Sequence, residues 1–184
     1  MRVIAGSARS LKLTAPEGLE VRPTTDRIKE TLFNILSPDI YGCRFLDLFC
    51  GSGAIGIEAL SRGARKAVFV DNNTKSLECT RKNLMFTKLA DGAEVIKSDS
   101  VSVINRLKIE NRRFDIIFMD PPYDRGFEKS VLEQEAFCDI LDEDGIVIIE
   151  ASADTGFGYI EGCGLEIYRE KSYGSNKHVF LRKA

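Results

Sequence analysis

Short apolar runs alternate along this chain with segments whose apolar residues recur at helical spacing. Arg44 to Phe49, Ala67 to Val70, Glu94 to Lys97, Phe114 to Met119 and Gly145 to Ile149 predict five strands, apolar enough to be buried. The segments between them predict helices from about Ala54 to Arg62, Thr74 to Phe86, near Val101 to Leu107, and Glu128 to Leu141. Upstream, Ile28, Leu32, Ile35 and Leu36 share one helical face. Thr24-Thr25-Asp26 supplies a cap and an acidic first turn, and Ser37-Pro38 stops that helix. Met1 to Ala5 and Leu11 to Leu13 read as short strands around a Gly6-Ser7 turn. Leu165 to Glu170 and His178 to Leu181 close the chain around Tyr173-Gly174-Ser175-Asn176, a short turn that makes them antiparallel. The alternation predicts an α/β fold whose sheet is parallel in its body and covered on both faces.

Composition narrows the class without choosing a function. The 184 residues suit one domain, or one with a small appendage, and 43% hydrophobic with 29% charged residues is ordinary for a globular protein. No apolar run approaches the roughly 18 residues of a membrane span, and no leader-like apolar stretch follows Met1, so a cytoplasmic protein is expected. The five cysteines, at 43, 50, 79, 138 and 163, form no CxxC pair, which argues against a disulfide framework or a zinc site. The single histidine, His178, is expected at the surface or in a minor contact, and no metal is expected. The net charge of −2 hides an asymmetry. Residues 1–30 carry six Lys/Arg against four Asp/Glu, and residues 169–184 carry five against one, while the body is acidic. Basic ends of this kind suit a nucleic-acid partner.

Two motifs carry chemistry. In Asp47-Leu48-Phe49-Cys50-Gly51-Ser52-Gly53-Ala54-Ile55-Gly56, the glycines at 51, 53 and 56 match GxGxxG where a strand meets a helix. Asp71, twenty residues past Gly51, is placed to take ribose hydroxyls. Together they predict a nucleoside cofactor. Asp47 would repel a pyrophosphate but attract the cationic end of S-adenosylmethionine. Asp99, just past the third strand, could accept from an adenine amino group. The second motif, Asp120-Pro121-Pro122-Tyr123, ends the fourth strand. A carboxylate beside a carbonyl on a stiff diproline backbone accepts from an NH2 group, and Tyr123 can stack on a flat ring.

At these residues the sequence resembles the bacterial 16S ribosomal RNA guanine-N2 methyltransferase family, which modifies guanine 966 of the small-subunit RNA. Four segments carry the likeness: Met1-Arg2-Val3-Ile4-Ala5-Gly6; Arg22-Pro23-Thr24-Thr25-Asp26-Arg27 with Leu32-Phe33-Asn34; Asp47 to Gly53 with Glu58 to Ala64; and Asp120-Pro121-Pro122-Tyr123. The helix entry at Arg22 to Arg27 is the specific part; the other two motifs occur in many methyltransferases. Ser10 departs from the family, which often has glycine there before a more basic stretch.

The resemblance implies a Rossmann-like class I methyltransferase sheet of seven strands, the last antiparallel. It also implies a small N-terminal β-hairpin extension over residues 1–22 before a methyltransferase domain over 23–184. It assigns S-adenosylmethionine, with S-adenosylhomocysteine as product, to Thr25, Asp47, Phe49, Gly51, Ser52, Gly53, Asp71, Asn72 and Asp99. Catalysis falls to Asp120, Pro121, Pro122 and Tyr123. RNA contacts fall to Arg2, Arg9, Lys12, Arg22 and Arg27, with Lys171, Lys177, Arg182 and Lys183 as further cations. The implied partner is 16S rRNA in a small ribosomal subunit or assembly intermediate, met by a monomer. An adenine-N6 methyltransferase, a dinucleotide-dependent oxidoreductase and a non-catalytic RNA-binding assembly factor stay open as alternatives.

Overall fold

A computed structural model describes residues 1–16, 25–122 and 125–184, in two compact units, Met1–Ser98 and Asp99–Ala184. Arg22, Thr24 and Tyr123 lie outside the described residues. In the first unit Thr25 caps helix α1 (Asp26–Ile35), its Oγ1 accepting from the Ile28 N–H at 3.3 Å. The Ser37-Pro38 pair that stops α1 opens the single turn α2 (Ser37–Ile40), because proline's fixed φ suits a first helical turn. There follow β1 (Arg44–Leu48), α3 (Ala54–Ser61), β2 (Lys66–Asp71), α4 (Thr74–Thr87) and β3 (Ala93–Lys97). β1 and β2 pair in parallel from Arg44↔Lys66 to Leu48↔Val70, and β2 and β3 from Ala67↔Ala93 to Asp71↔Lys97. Phe45 to Leu48 and Ala67 to Val70 are buried without alternation, as parallel strands covered on both faces require.

The N-terminal stretch departs from the two expected strands. Among the described residues Arg2 and Lys12 form an antiparallel bridge, with Val3 N–H donating to the Leu11 carbonyl, Leu13 N–H to that of Met1 and Ser10 N–H to that of Val3. The backbone donors beyond it go to α3 instead. Ile4 and Ala5 N–H groups bind the Glu58 carboxylate at 2.8 and 3.0 Å, Ala8 N–H binds Ser61 Oγ at 2.9 Å, and Ser7 N–H binds the Ser61 carbonyl at 2.8 Å. Glu58 and Lys29 have no side-chain exposure and pair at 3.2 Å, with Arg62 on Glu58 at 2.8 Å. Lys29 Nζ also donates to the Arg2 carbonyl at 2.6 Å. Burial pushes the Lys29 ammonium below its ordinary pKa, and Glu58 opposes that. The arm is therefore held by buried charge as well as by its short antiparallel pairing.

The second unit holds α5 (Ser100–Ile109), β4 (Phe114–Met119), α6 (Phe127–Leu132), α7 (Phe137–Ile140), β5 (Leu141–Ser152), β6 (Leu165–Tyr173) and β7 (Asn176–Lys183). β4 and β5 are parallel, whereas β7 is antiparallel to both β5 and β6, giving the order β4-β5-β7-β6. The Gly174-Ser175 turn joins β6 to β7, with Tyr173 paired to Asn176. Three expectations need correction. The helix expected over Glu128 to Leu141 is two helices, because residues 131–137 tighten into Gln134 N–H→Val131 and Phe137 N–H→Gln134 bonds. Val131, Leu132, Ala136, Phe137 and Ile140 stay buried across the break, so their spacing could not reveal it. β5 begins at Leu141 rather than Gly145, and a register shift carries Asp142-Glu143-Asp144 past its partner strand.

The third correction is His178, which is 0% exposed. β7 lies between β5 and β6 with both its edges paired, and His178 to Leu181 are buried without alternation. His178 Nε2 lies 3.2 Å from Glu150 Oε2 and the ring packs edge-on to Tyr173 and Phe118. Seven strands in all, the last antiparallel, make the Rossmann-like α/β class.

Candidate active site

β1 ends in a loop with alternating left-handed residues, Phe49 at φ 66°, Gly51 at 55° and Gly53 at 77°. For Phe49 this conformation is strained, a frequent mark of a ligand-binding turn. A Cβ on Gly51 would meet nothing within 4 Å, so the backbone there faces open space that a ligand can approach. Gly56, at the third motif position, is small for another reason: a Cβ would overlap the Phe69 ring. That glycine lets α3 lie tight against β2.

Two carboxylates hold the loop. Asp47 is 2% exposed and its Oδ2 accepts from the Gly56 N–H at 2.9 Å. Burial raises its carboxyl to about 7, helped by the nearby Asp71 and opposed by the Gly56 hydrogen bond. Asp71 Oδ2 accepts from Gly51 N–H at 3.0 Å and Oδ1 from Asn73 N–H at 2.8 Å. Each carboxylate oxygen has a second lone pair, so Asp71 keeps capacity for two hydroxyls. Asn72 stands exposed beside it, and Ser52 is buried within the loop.

The residues that grip the loop from α4 were missed by sequence reading. Thr80 Oγ1 donates to the Gly51 carbonyl at 2.9 Å, and Asn83 Nδ2 donates to the Ser52 carbonyl at 2.9 Å. The same Asn83 amide accepts from Thr14 N–H at 2.9 Å and donates to the Thr14 carbonyl at 3.0 Å, joining arm and loop. Their sequence signal is a stripe of polar residues at helical spacing, Ser76, Thr80, Asn83 and Thr87, on the buried face of α4. Burial pushes the Cys50 thiol well above its ordinary pKa, and Asp47 and Asp71 add to that, so Cys50 is a packed neutral thiol and no nucleophile.

In the second unit Asp99 caps α5, its Oδ1 accepting from Ser102 N–H at 2.8 Å, and that bond holds its carboxyl below the usual range. The Asp99 side chain is exposed. Asp120 follows β4 directly, half-buried, with Pro121 buried and Pro122 exposed. Among the basic candidates, Arg2, Arg9 and Arg27 line one pocket, and Lys12 is exposed opposite Arg2. Lys177, Arg182 and Lys183 are already paired with Glu170, Glu166 and Glu143.

Sheet, loop and strand-end acid together define the class I methyltransferase fold. Its solved examples include the yhhF protein of Escherichia coli, with a TM-score of 0.85 at 34% identity, covering 100% of this chain and 97% of that one. A Thermus protein, TTHA0928, matches with a TM-score of 0.82 at 27% identity, covering 100% and 99%. The chain belongs to the family described as Conserved hypothetical protein 95, whose model matches residues 1–182. Its relatives include YlbH of Bacillus subtilis, 37% identical over 183 residues, covering 100% of this chain and 99% of that protein. Ribosomal RNA small subunit methyltransferase D of Escherichia coli is 34% identical over 174 residues, covering 95% and 85%.

Proposed function

We propose that this protein transfers a methyl group from S-adenosylmethionine to the exocyclic N2 of guanine 966 in bacterial 16S ribosomal RNA. The observation that carries the reading is the near full-length likeness to ribosomal RNA small subunit methyltransferase D, in a chain whose fourth strand ends in Asp120-Pro121-Pro122. The residues present suit the donor. Gly51 opens space at the loop, Asp71 keeps two acceptor positions for ribose hydroxyls, and Asp47 presents a buried acid to a cation. Thr25, Phe49, Ser52, Gly53 and Asn72 would line the methionine and ribose parts, and Asp99 the adenine. When bound, S-adenosylmethionine supplies an electrophilic methyl group.

The chain's own part is to prepare the amine. The N2 lone pair of guanine is delocalised into the ring and attacks poorly. Asp120 and the Pro121 carbonyl accept from its two N–H groups, which favours a pyramidal nitrogen with its lone pair free. Pro121 and Pro122 keep that backbone stiff. Orientation supplies much of the remaining acceleration. Tyr123 would stack on the flipped base, offsetting part of the few kcal/mol that unstacking costs. Such a substrate belongs to the cytoplasm, in a small subunit or its assembly intermediate.

Asp47 gives this reading a pH dependence. A carboxyl raised to about 7 stabilises the ligand-free fold fully below its unfolded value of ~4, and that stability is lost as pH rises through about 7. A cation beside it favours the charged form, so donor binding releases a proton. S-adenosylmethionine affinity should rise between pH 6 and pH 8, by up to about tenfold per unit below the pKa. Calorimetry in buffers of different ionisation enthalpy measures the released proton. Asp47→Asn should flatten the profile, and a wild-type profile already as flat as the variant's would remove Asp47 from the donor site.

The functional test is nucleoside mass spectrometry of 16S rRNA from a strain lacking this gene. Loss of one N2-methylguanosine from one mapped oligonucleotide is expected. An unchanged methylation profile would retire the small-subunit assignment, and loss of N6-methyladenosine instead would move the activity to adenine.

A further inference from the structure

Arg2, Arg9 and Arg27, distant in sequence, line one open pocket of about 420 Å³ with Ser10, Asp26 and Glu30. That volume lies in the roughly 300–1,000 Å³ range of small-ligand sites. Its wall is fixed from beneath, since Lys29 Nζ holds the Arg2 carbonyl at 2.6 Å and Glu58 holds the Ile4 N–H at 2.8 Å. Arg2 is committed: Nε lies 3.0 Å from Asp26 Oδ2, and its N–H donates to Asp26 Oδ1 at 3.3 Å. The Arg9, Arg27 and Glu30 side chains carry no ion pair among the described residues. The pocket therefore offers two uncommitted guanidinium forks and one uncommitted carboxylate.

That donor set decides the ligand class. Guanidinium forks match phosphate oxygens bidentately. A bare phosphate would also meet Glu30 and Asp26, which repel it. A nucleotide answers both signs, because its phosphate is anionic while its base carries N–H donors that a carboxylate can accept. Single-stranded RNA presents such unstacked nucleotides. We propose that this pocket seats one unstacked nucleotide of the substrate RNA, its phosphate on Arg9 and Arg27 and its base donors on Glu30. The assignment rests on the RNA methyltransferase reading above and adds a second anchoring point for the same strand.

The test is filter binding of the full chain to in vitro transcribed, unmethylated 16S rRNA across a salt series. Arg9→Gln and Arg27→Gln should each weaken binding about tenfold, the effect of one charge-assisted hydrogen bond. Each should also reduce the salt slope by up to about 0.7, the value for one phosphate contact on a single strand. Glu30→Ala should weaken binding about threefold to tenfold if the carboxylate accepts from a base. Tighter binding by Glu30→Ala would mean that the acid only repels phosphate, and would overturn the nucleotide seat. Arginine variants that keep wild-type affinity and melting temperature would overturn the pocket altogether. A methylation assay on small subunits and their assembly intermediates from a strain lacking this gene separates the two readings: wild-type protein that binds through these residues but transfers no methyl group sinks the enzyme and leaves the pocket standing.

Discussion

Asp120→Ala is expected to lose methyl transfer to 16S rRNA by roughly 10³-fold while binding S-adenosylhomocysteine as the parent does. The side chain sits at the end of β4 in the second unit, whereas the glycine loop and its two carboxylates belong to the first. Removing it deletes a charged acceptor for the amine and leaves the loop's hydrogen bonds intact. Asp120 is half-buried, so the melting temperature should move by only a few degrees, as for ordinary substitutions outside a core. Asp120→Asn keeps one acceptor oxygen but brings an NH2 group toward an NH2 group, and should fall between the two. Single-turnover rates with saturating donor measure this. An alanine variant turning over within tenfold of the parent would end the role given to Asp120.

Glu58→Gln should cost about 3–5 kcal/mol, the usual penalty for breaking a buried ion pair by removing one partner. Four donors converge on this carboxylate: the Lys29 ammonium, the Arg62 guanidinium, and the Ile4 and Ala5 N–H groups. Glutamine leaves Lys29 buried without its counter-charge and turns an NH2 group toward other donors. For a chain of this length the loss corresponds to a melting temperature lower by on the order of 10 °C. Lys29→Met alone strands Glu58 in the same way, while Lys29→Met with Glu58→Met should cost less than the two singles together. Amide hydrogen exchange gives the sharper reading, because Ile4, Ala5 and Ala8 should lose protection before the β1 and β2 amides. Uniform loss across the unit would show that the pair supports the core rather than the arm.

The N-terminal arm marks the limit of what patterning reveals. Met1 to Leu13 looks like a hairpin because apolar residues flank a Gly-Ser turn. A longer hairpin would need more of its N–H groups for the opposite strand; Val3 and Leu13 do give theirs across it, but those of Ile4, Ala5, Ser7 and Ala8 go to Glu58 and Ser61 on α3. Glu58 is the one charged residue between Ala54 and Ser61, and nothing in its own segment names the acid's partners. Every residue of α3 is buried, so that acid has no solvent to face. His178 is the same lesson in a strand. Nearness to the chain end suggested exposure, but β7 is an inner strand buried without alternation from His178 to Leu181, and its pairing with β5 brings Glu150 beside His178. The polar spacing of Thr80 and Asn83 does not name their partners, because their acceptors are main-chain carbonyls of a loop some thirty residues upstream.

What the sequence determined by itself was whatever depends on neighbours along the chain. Strand and helix periods, the Thr25 cap, the glycine positions of the loop and the placement of Asp120-Pro121-Pro122 at a strand end are all local. Each needs only a few adjacent residues to be right. Tertiary structure alone decided which charges are buried, which backbone donors a distant side chain takes, and where the arginines of the arm and of α1 converge. Those outcomes depend on desolvation and on partners brought together from far along the chain. An acid on a helix costs nothing in water, and is tolerated in a core only where other segments bring cations and N–H groups to it.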